Sequence, residues 1–181
     1  GAAAAVAEAD PSVTRAIICT PDKDLAQCVR DPKVVQFDRR AGVFRDTAGV
    51  IEKFGVEPES IPDWLGLVGD TADGFPGLAG WGAKSAATVL RRYRHIEHIP
   101  LHPGQWDITV RGSAKLCATL AAHLDDALLF RRIATLELDV EVGSPAEWRW
   151  TGPTDALAAI CDRLDARDLA LRDAATIDAT L

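Results

Sequence analysis

Arg15-Ala16-Ile17-Ile18-Cys19-Thr20-Pro21-Asp22-Lys23-Asp24-Leu25 is the stretch from which the fold class is read. Its first half is a short, continuous apolar run, the pattern of a strand buried on both faces of a helix-covered sheet. Its second half sets Asp22 and Asp24 just past the carboxyl end of that strand, where ligands gather in α/β sheets. Two residues apart in extended chain, the two carboxylates project to one side. An aspartate capping the next helix makes the same short pattern, so the pair alone does not separate cap from site.

Upstream, the Ala-rich residues 2–8 read as the end of a helix stopped by Asp10-Pro11-Ser12. Downstream, residues 33–38 and 43–46 bracket a hairpin turn with Gly42 at a positive φ. Helices are predicted over 47–54, with Gly55 as the stop, over 60–69 with Ser60 as N-cap, and over 83–93. Residues 70–82 form a Gly- and Pro-rich structured loop. Residues 113–136 are helical with a break near His123, residues 136–142 alternate like a return strand, and residues 154–164 make a last amphipathic helix. The class is α/β in front and helical behind, divided at 1–69, 70–136 and 137–181. One strand and a hairpin are too little sheet to stand alone, and the chain opens on Gly1 without a methionine. The expectation is therefore an N-terminally truncated fragment.

An apolar fraction of 48% over 181 residues supports a real core, while a net charge of −7 argues against blanket attraction to nucleic acid. The charge is uneven: Lys84, Arg91, Arg92, Arg94, Arg111 and Lys115 outnumber the acids between positions 84 and 115. Cys19, Cys28, Cys117 and Cys161 lie far apart among apolar neighbours, so buried thiols in a reducing cytoplasm are expected, with no disulfide framework or zinc site. No apolar run approaches membrane-spanning length, so no membrane partner is expected. Histidines 95, 98, 102 and 123 lack ligand-like neighbours in sequence and are expected on the surface.

A second acidic pair, Asp70 and Asp73, has the spacing that shares one face of a helical turn. Repulsion between them is relieved by a bound cation, although an Asp-rich turn before Gly74 gives the same residues. Four carboxylates without histidine or cysteine suit a hard, oxygen-seeking ion, Mg2+ or Mn2+. Paired cations roughly 3.5–4 Å apart are the recurring device for phosphodiester hydrolysis.

Pro76-Gly77-Leu78-Ala79-Gly80-Trp81-Gly82-Ala83-Lys84-Ser85 carries a sharper signal. Its glycines permit tight turns, and the amides of Gly82, Ala83 and Lys84 open a helix as an anion site, joined by the Lys84 charge and the Ser85 hydroxyl. A Walker loop fails, because Ala83 separates Gly82 from Lys84, and a Rossmann turn fails, because the loop follows a helix. A helix–hairpin–helix gripping a nucleic-acid strand by phosphate fits better. Arg91, Arg111 and Lys115 are candidates for further backbone contact, with a solvated helix face as the other reading.

Thr20-Pro21-Asp22-Lys23-Asp24-Leu25, followed by Gly69-Asp70-Thr71-Ala72-Asp73-Gly74-Phe75-Pro76-Gly77 and Gly80-Trp81-Gly82-Ala83-Lys84-Ser85-Ala86, resembles the bacterial 5′–3′ exonuclease and flap endonuclease family. That family includes the N-terminal nuclease domain of DNA polymerase I. The resemblance is clear from about residue 15 to residue 100 and weakens beyond. It implies a partial PIN-like core followed by a helix–three-turn–helix DNA-binding region. Asp22, Asp24, Asp70 and Asp73 would be catalytic metal ligands. Gly80, Gly82, Lys84 and Ser85 would hold the DNA strand, with K+ bound by hairpin carbonyls. Trp81 departs from the smaller aliphatic residue usual there. The family's remaining carboxylates and its basic arch would lie upstream of Gly1. The expected parent is a monomeric nuclease acting on DNA 5′ ends, flaps or nicks by two-metal chemistry. The fragment alone is expected to bind duplex weakly and to cleave poorly or not at all. A non-catalytic helix–hairpin–helix DNA-binding module is the alternative; Asp22 and Asp24 separate the two, because a bare clamp has no use for them.

Overall fold

The computed structural model describes residues 1–166 and Asp168. Helix α1 (Ala2–Ala9) leads into β1 (Ala16–Cys19), which pairs in parallel with β2 (Val34–Asp38), and β2 pairs antiparallel with β3 (Val43–Arg45). The strand order is β1-β2-β3, with Ile18 opposite Gln36 and Phe37 opposite Phe44. The hairpin turn carries Gly42 at φ 67°, as its sequence requires. β1 departs from expectation. Ile17 is 47% exposed and Cys19 is also on the surface, while Ala16 and Ile18 on the other face of this edge strand are only half-buried.

Helix α2 (Thr47–Phe54) starts where the Asp46 carboxylate accepts from the Gly49 amide, and it stops at Gly55 in the left-handed region. Helix α3 (Ile61–Val68) is buried along nearly its whole length, and it packs against α4 (Ala83–Tyr93), α6 (Leu124–Ala134) and the 3-10 turn Asp24–Cys28. At Gly66 a Cβ would meet the Ala127 carbonyl and the Arg131 amide, each at 3.0 Å, so glycine sets how closely α3 and α6 approach. Ile61, Leu65 and Leu67 of α3, Val89 and Leu90 of α4, and Leu120 of α5 (Ser113–Ala122) fill this core. The break between α5 and α6 falls at His123, as expected.

Residues 136–142 form no strand. Leu138 and Val140 are more than half exposed, and the sheet consists of β1, β2 and β3 alone among the described residues. Compact units run from Gly1 to Pro145 and from Ala146 to Leu181, and the hydrophobic core of the first draws residues from both 1–69 and 70–136. The second unit holds α7 (Ala156–Arg163), with Cys161 buried. No helix among the described residues is long and apolar enough to cross a membrane.

Candidate metal centre and phosphate-gripping hairpin

The acidic centre is built from two loops that α3 brings together. At the carboxyl end of β1, Lys23 takes an αR conformation (φ −73°, ψ −30°) and the chain tightens into the 3-10 turn that begins at Asp24. Buried Gln36, on β2, donates from Nε2 to the Asp22 carbonyl, and Gln27 Nε2 donates to the carbonyls of Asp24 and Ala134. These two glutamines anchor the first loop to the sheet and to the end of α6. Sequence reading missed both, since a polar side chain that serves backbone carbonyls leaves no local pattern.

The second loop leaves α3 at Gly69. Asp70 and Phe75 exchange both backbone hydrogen bonds, at 2.9 and 3.1 Å, so the pair expected on a helical turn lies instead in a closed, bridged loop. Gly69 (φ 88°) and Gly77 (φ 69°) lie backbone to backbone. A Cβ on Gly77 would fall 2.3 Å from the Gly69 nitrogen, and one on Gly69 would fall 2.4 Å from the Pro76 carbonyl carbon. The Leu78 amide donates to the Leu67 carbonyl at 2.8 Å and locks this approach.

With both loops set, Asp24, Asp70 and Asp73 each offer an oxygen within 4.8 Å of the others. Asp22 is outside this group. It is exposed, and its Oδ1 accepts from the Asp24 amide at 3.4 Å. Asp24 is buried, and its Oδ1 has no hydrogen-bond partner. Burial, a hydrogen bond with Asp73, and the charges of Asp73, Asp22 and Asp70 push its carboxyl up to about 7. Asp70 is 2% exposed; its Oδ1 accepts from the Ala72 amide at 3.0 Å and its Oδ2 pairs with Lys23 Nζ at 2.6 Å. Three converging carboxylates, one with an orphaned buried oxygen, are a donor set that a hard divalent cation completes.

Beyond Gly77 the chain turns through Gly80 into α4. Here the Gly82 amide donates to Ser85 Oγ at 3.1 Å, so it is partly satisfied by the helix itself, contrary to expectation. Ala83 and Lys84 follow in the first turn, where amides lack intrahelical acceptors, and the Lys84 side chain is exposed. Trp81 is buried, lies tilted against Trp106 (centroids 6.3 Å apart) and donates from Nε1 to the Leu116 carbonyl at 3.2 Å. The larger side chain therefore pins the hairpin to α5. That bond also puts the start of α5, with exposed Lys115 and nearby exposed Arg111, beside the hairpin. Arg91 lies two turns along α4 from Lys84, about 10 Å by helix rise, and its guanidinium donates to the Gly55 carbonyl. Arg92 pairs with Asp107 and Arg94 with Glu59, so this part of α4 spends its charge within the protein.

His95, expected on the surface, is partly exposed there, and its Nδ1 lies 2.9 Å from Oδ2 of Asp63. Asp63 is 2% exposed and also accepts from the Ile96 amide and Arg131, joining α3, the turn after α4, and α6.

A family model described as "5′-3′ exonuclease, C-terminal SAM fold" matches residues 56–156. The chain belongs to the 5′-3′ exonuclease family. In this family DNA polymerase I of Pseudomonas aeruginosa is 34% identical over 159 residues, covering 82% of this chain and 17% of its own length. Among solved structures, the T5 5′-exonuclease with bound divalent metal ions (zinc) superposes with a TM-score of 0.59 at 19% identity, covering 73% of this chain and 47% of the other. A T5 flap endonuclease pseudo-enzyme-product complex with DNA and metal ions gives a TM-score of 0.52 at 21% identity, covering 66% and 42%. This chain thus spans less than half the length of each of these members and neighbours.

Proposed function

We propose that this chain carries part of the metal centre and the phosphate grip of a 5′-nuclease that hydrolyses DNA phosphodiesters at 5′ ends and flaps. The observation that carries the reading is the convergence of Asp24, Asp70 and Asp73 within 4.8 Å, with a buried Asp24 oxygen left unpaired. Those three side chains would hold the ion, and their all-oxygen character favours Mg2+ or Mn2+. A divalent cation there supplies Lewis acidity to the phosphodiester. The residues of the chain itself orient and bind. Gln36 and Gln27 hold the first acidic loop, the Gly69–Gly77 contact holds the second, and Lys84 with the opening turn of α4 offers positive charge and amide donors to a strand phosphate.

In the full-length protein that carries this sequence, Asp70→Asn is expected to lower Mg2+-dependent cleavage of a 5′-flap duplex about a hundredfold or more. Duplex affinity, measured by fluorescence anisotropy, is expected to stay within about twofold, since Asp70 offers no contact of its own to the grip. Cleavage at the unmutated rate would refute the nuclease reading and leave a DNA-holding module.

A further inference from the structure

The metal centre described above already contains a cation. Lys23 Nζ sits 2.6 Å from Asp70 Oδ2, and that carboxylate is 2% exposed. Lys23 lies in the chain between Asp22 and Asp24, so the turn that delivers Asp24 to the cluster also delivers the ammonium. The other Asp70 oxygen accepts from the Ala72 amide, so an incoming ion that takes Oδ2 meets the Lys23 ammonium there. A second observation points to the same exchange. Asp24 keeps Oδ1 buried without a partner, so one ammonium satisfies Asp70 but does not complete the three-carboxylate set. A lysine donates from a single point charge, whereas a divalent ion bonds several oxygens at once.

Building on the reading of these carboxylates as a metal centre, we infer that Lys23 is the protein's own counter-cation for Asp70, and that a divalent ion binds by displacing it. In the metal-free chain Lys23 neutralises a buried carboxylate that would otherwise be unpaired. On ion binding its ammonium is released to solvent beside the site. Lys23 thus sets how tightly the ion is held and keeps the two acidic loops together without it. It is a positioning residue of the centre.

Amine acetylation with mass-spectrometric mapping tests this on the whole chain, with the exposed Lys84 and Lys115 as internal references. Saturating Mg2+ is expected to raise acetylation of Lys23 several-fold relative to those two. In parallel, calorimetric titration with Mn2+ is expected to show Lys23→Met binding about tenfold tighter than the unmodified chain, the scale of one charge-assisted hydrogen bond. Its metal-free form is expected to melt at a lower temperature. If the ion binds and Lys23 acetylation does not change, or if Lys23→Met binds the ion equally or more weakly, the displacement is wrong while the metal centre stands. If the unmodified chain binds neither ion, the metal centre itself is wrong and the role of Lys23 falls with it.

Discussion

Asp24 shows how one residue's surroundings convert a common side chain into a sensitive one. Burial is the largest cause of its raised pKa, followed by the hydrogen bond with Asp73 and the charges of Asp73, Asp22 and Asp70. Because the folded value is above the ordinary 3.8, the metal-free fold retains a proton that the unfolded chain has lost. The resulting stabilisation is whole below pH 3.8 and disappears as pH rises through about 7. Thermal melts without divalent ions, run from pH 4 to pH 8 on the native chain and on Asp24→Asn, should therefore show the native chain losing ground to the variant as pH increases. A difference that stays flat with pH contradicts the assignment. Residue type and position at the strand end were legible in the sequence; the separate fates of Asp22 and Asp24 were not. The two-residue rule holds for extended chain, and Lys23 in the αR region turns Asp22 outward while Asp24 goes inward.

Elements are held at the site by close backbone approach and by buried ion pairing. Gly77→Ala would place a Cβ 2.3 Å from the Gly69 nitrogen at a φ that disfavours side chains. We expect urea unfolding to show a loss of about 2 kcal/mol or more, together with weaker Mn2+ binding as the second acidic loop shifts. A loss under about 0.5 kcal/mol would mean that the contact is not rigid. Asp63 makes the corresponding case between helices. Its carboxylate meets His95, the Ile96 amide and Arg131, so Asp63→Ala leaves a half-buried arginine with Glu97 as its remaining acid. A destabilisation of about 3 kcal/mol is expected in the same assay, at the lower end for a broken buried pair because Glu97 persists. Helix limits were legible, since capping and periodicity are local. Asp63 and Gly66 were not, because their partners lie more than thirty and sixty residues away.

Across the whole molecule, a net charge of −7 coexists with exposed Lys84, Arg111 and Lys115, so under the proposed function binding to nucleic acid would depend on where charge is placed. Lys84→Ala is expected to weaken duplex binding equally for unrelated sequences and to reduce the slope of log affinity against log salt by about one. A change confined to particular sequences would indicate base contact instead. Arg91, read from sequence as part of that surface, is bound to the Gly55 carbonyl, a commitment visible only once α2 and α4 are packed. Chain chemistry alone specified the α/β class, the helix ends, the two acidic pairs and the glycine-led hairpin, because each rests on residues within a few positions of one another. Packing decided which three carboxylates share a site, that β1 shows one face to solvent, that residues 136–142 pair with nothing in the sheet, and that Lys23 answers Asp70. Those outcomes turn on distances between segments some fifty residues apart, where burial removes water and makes every charge depend on its neighbour.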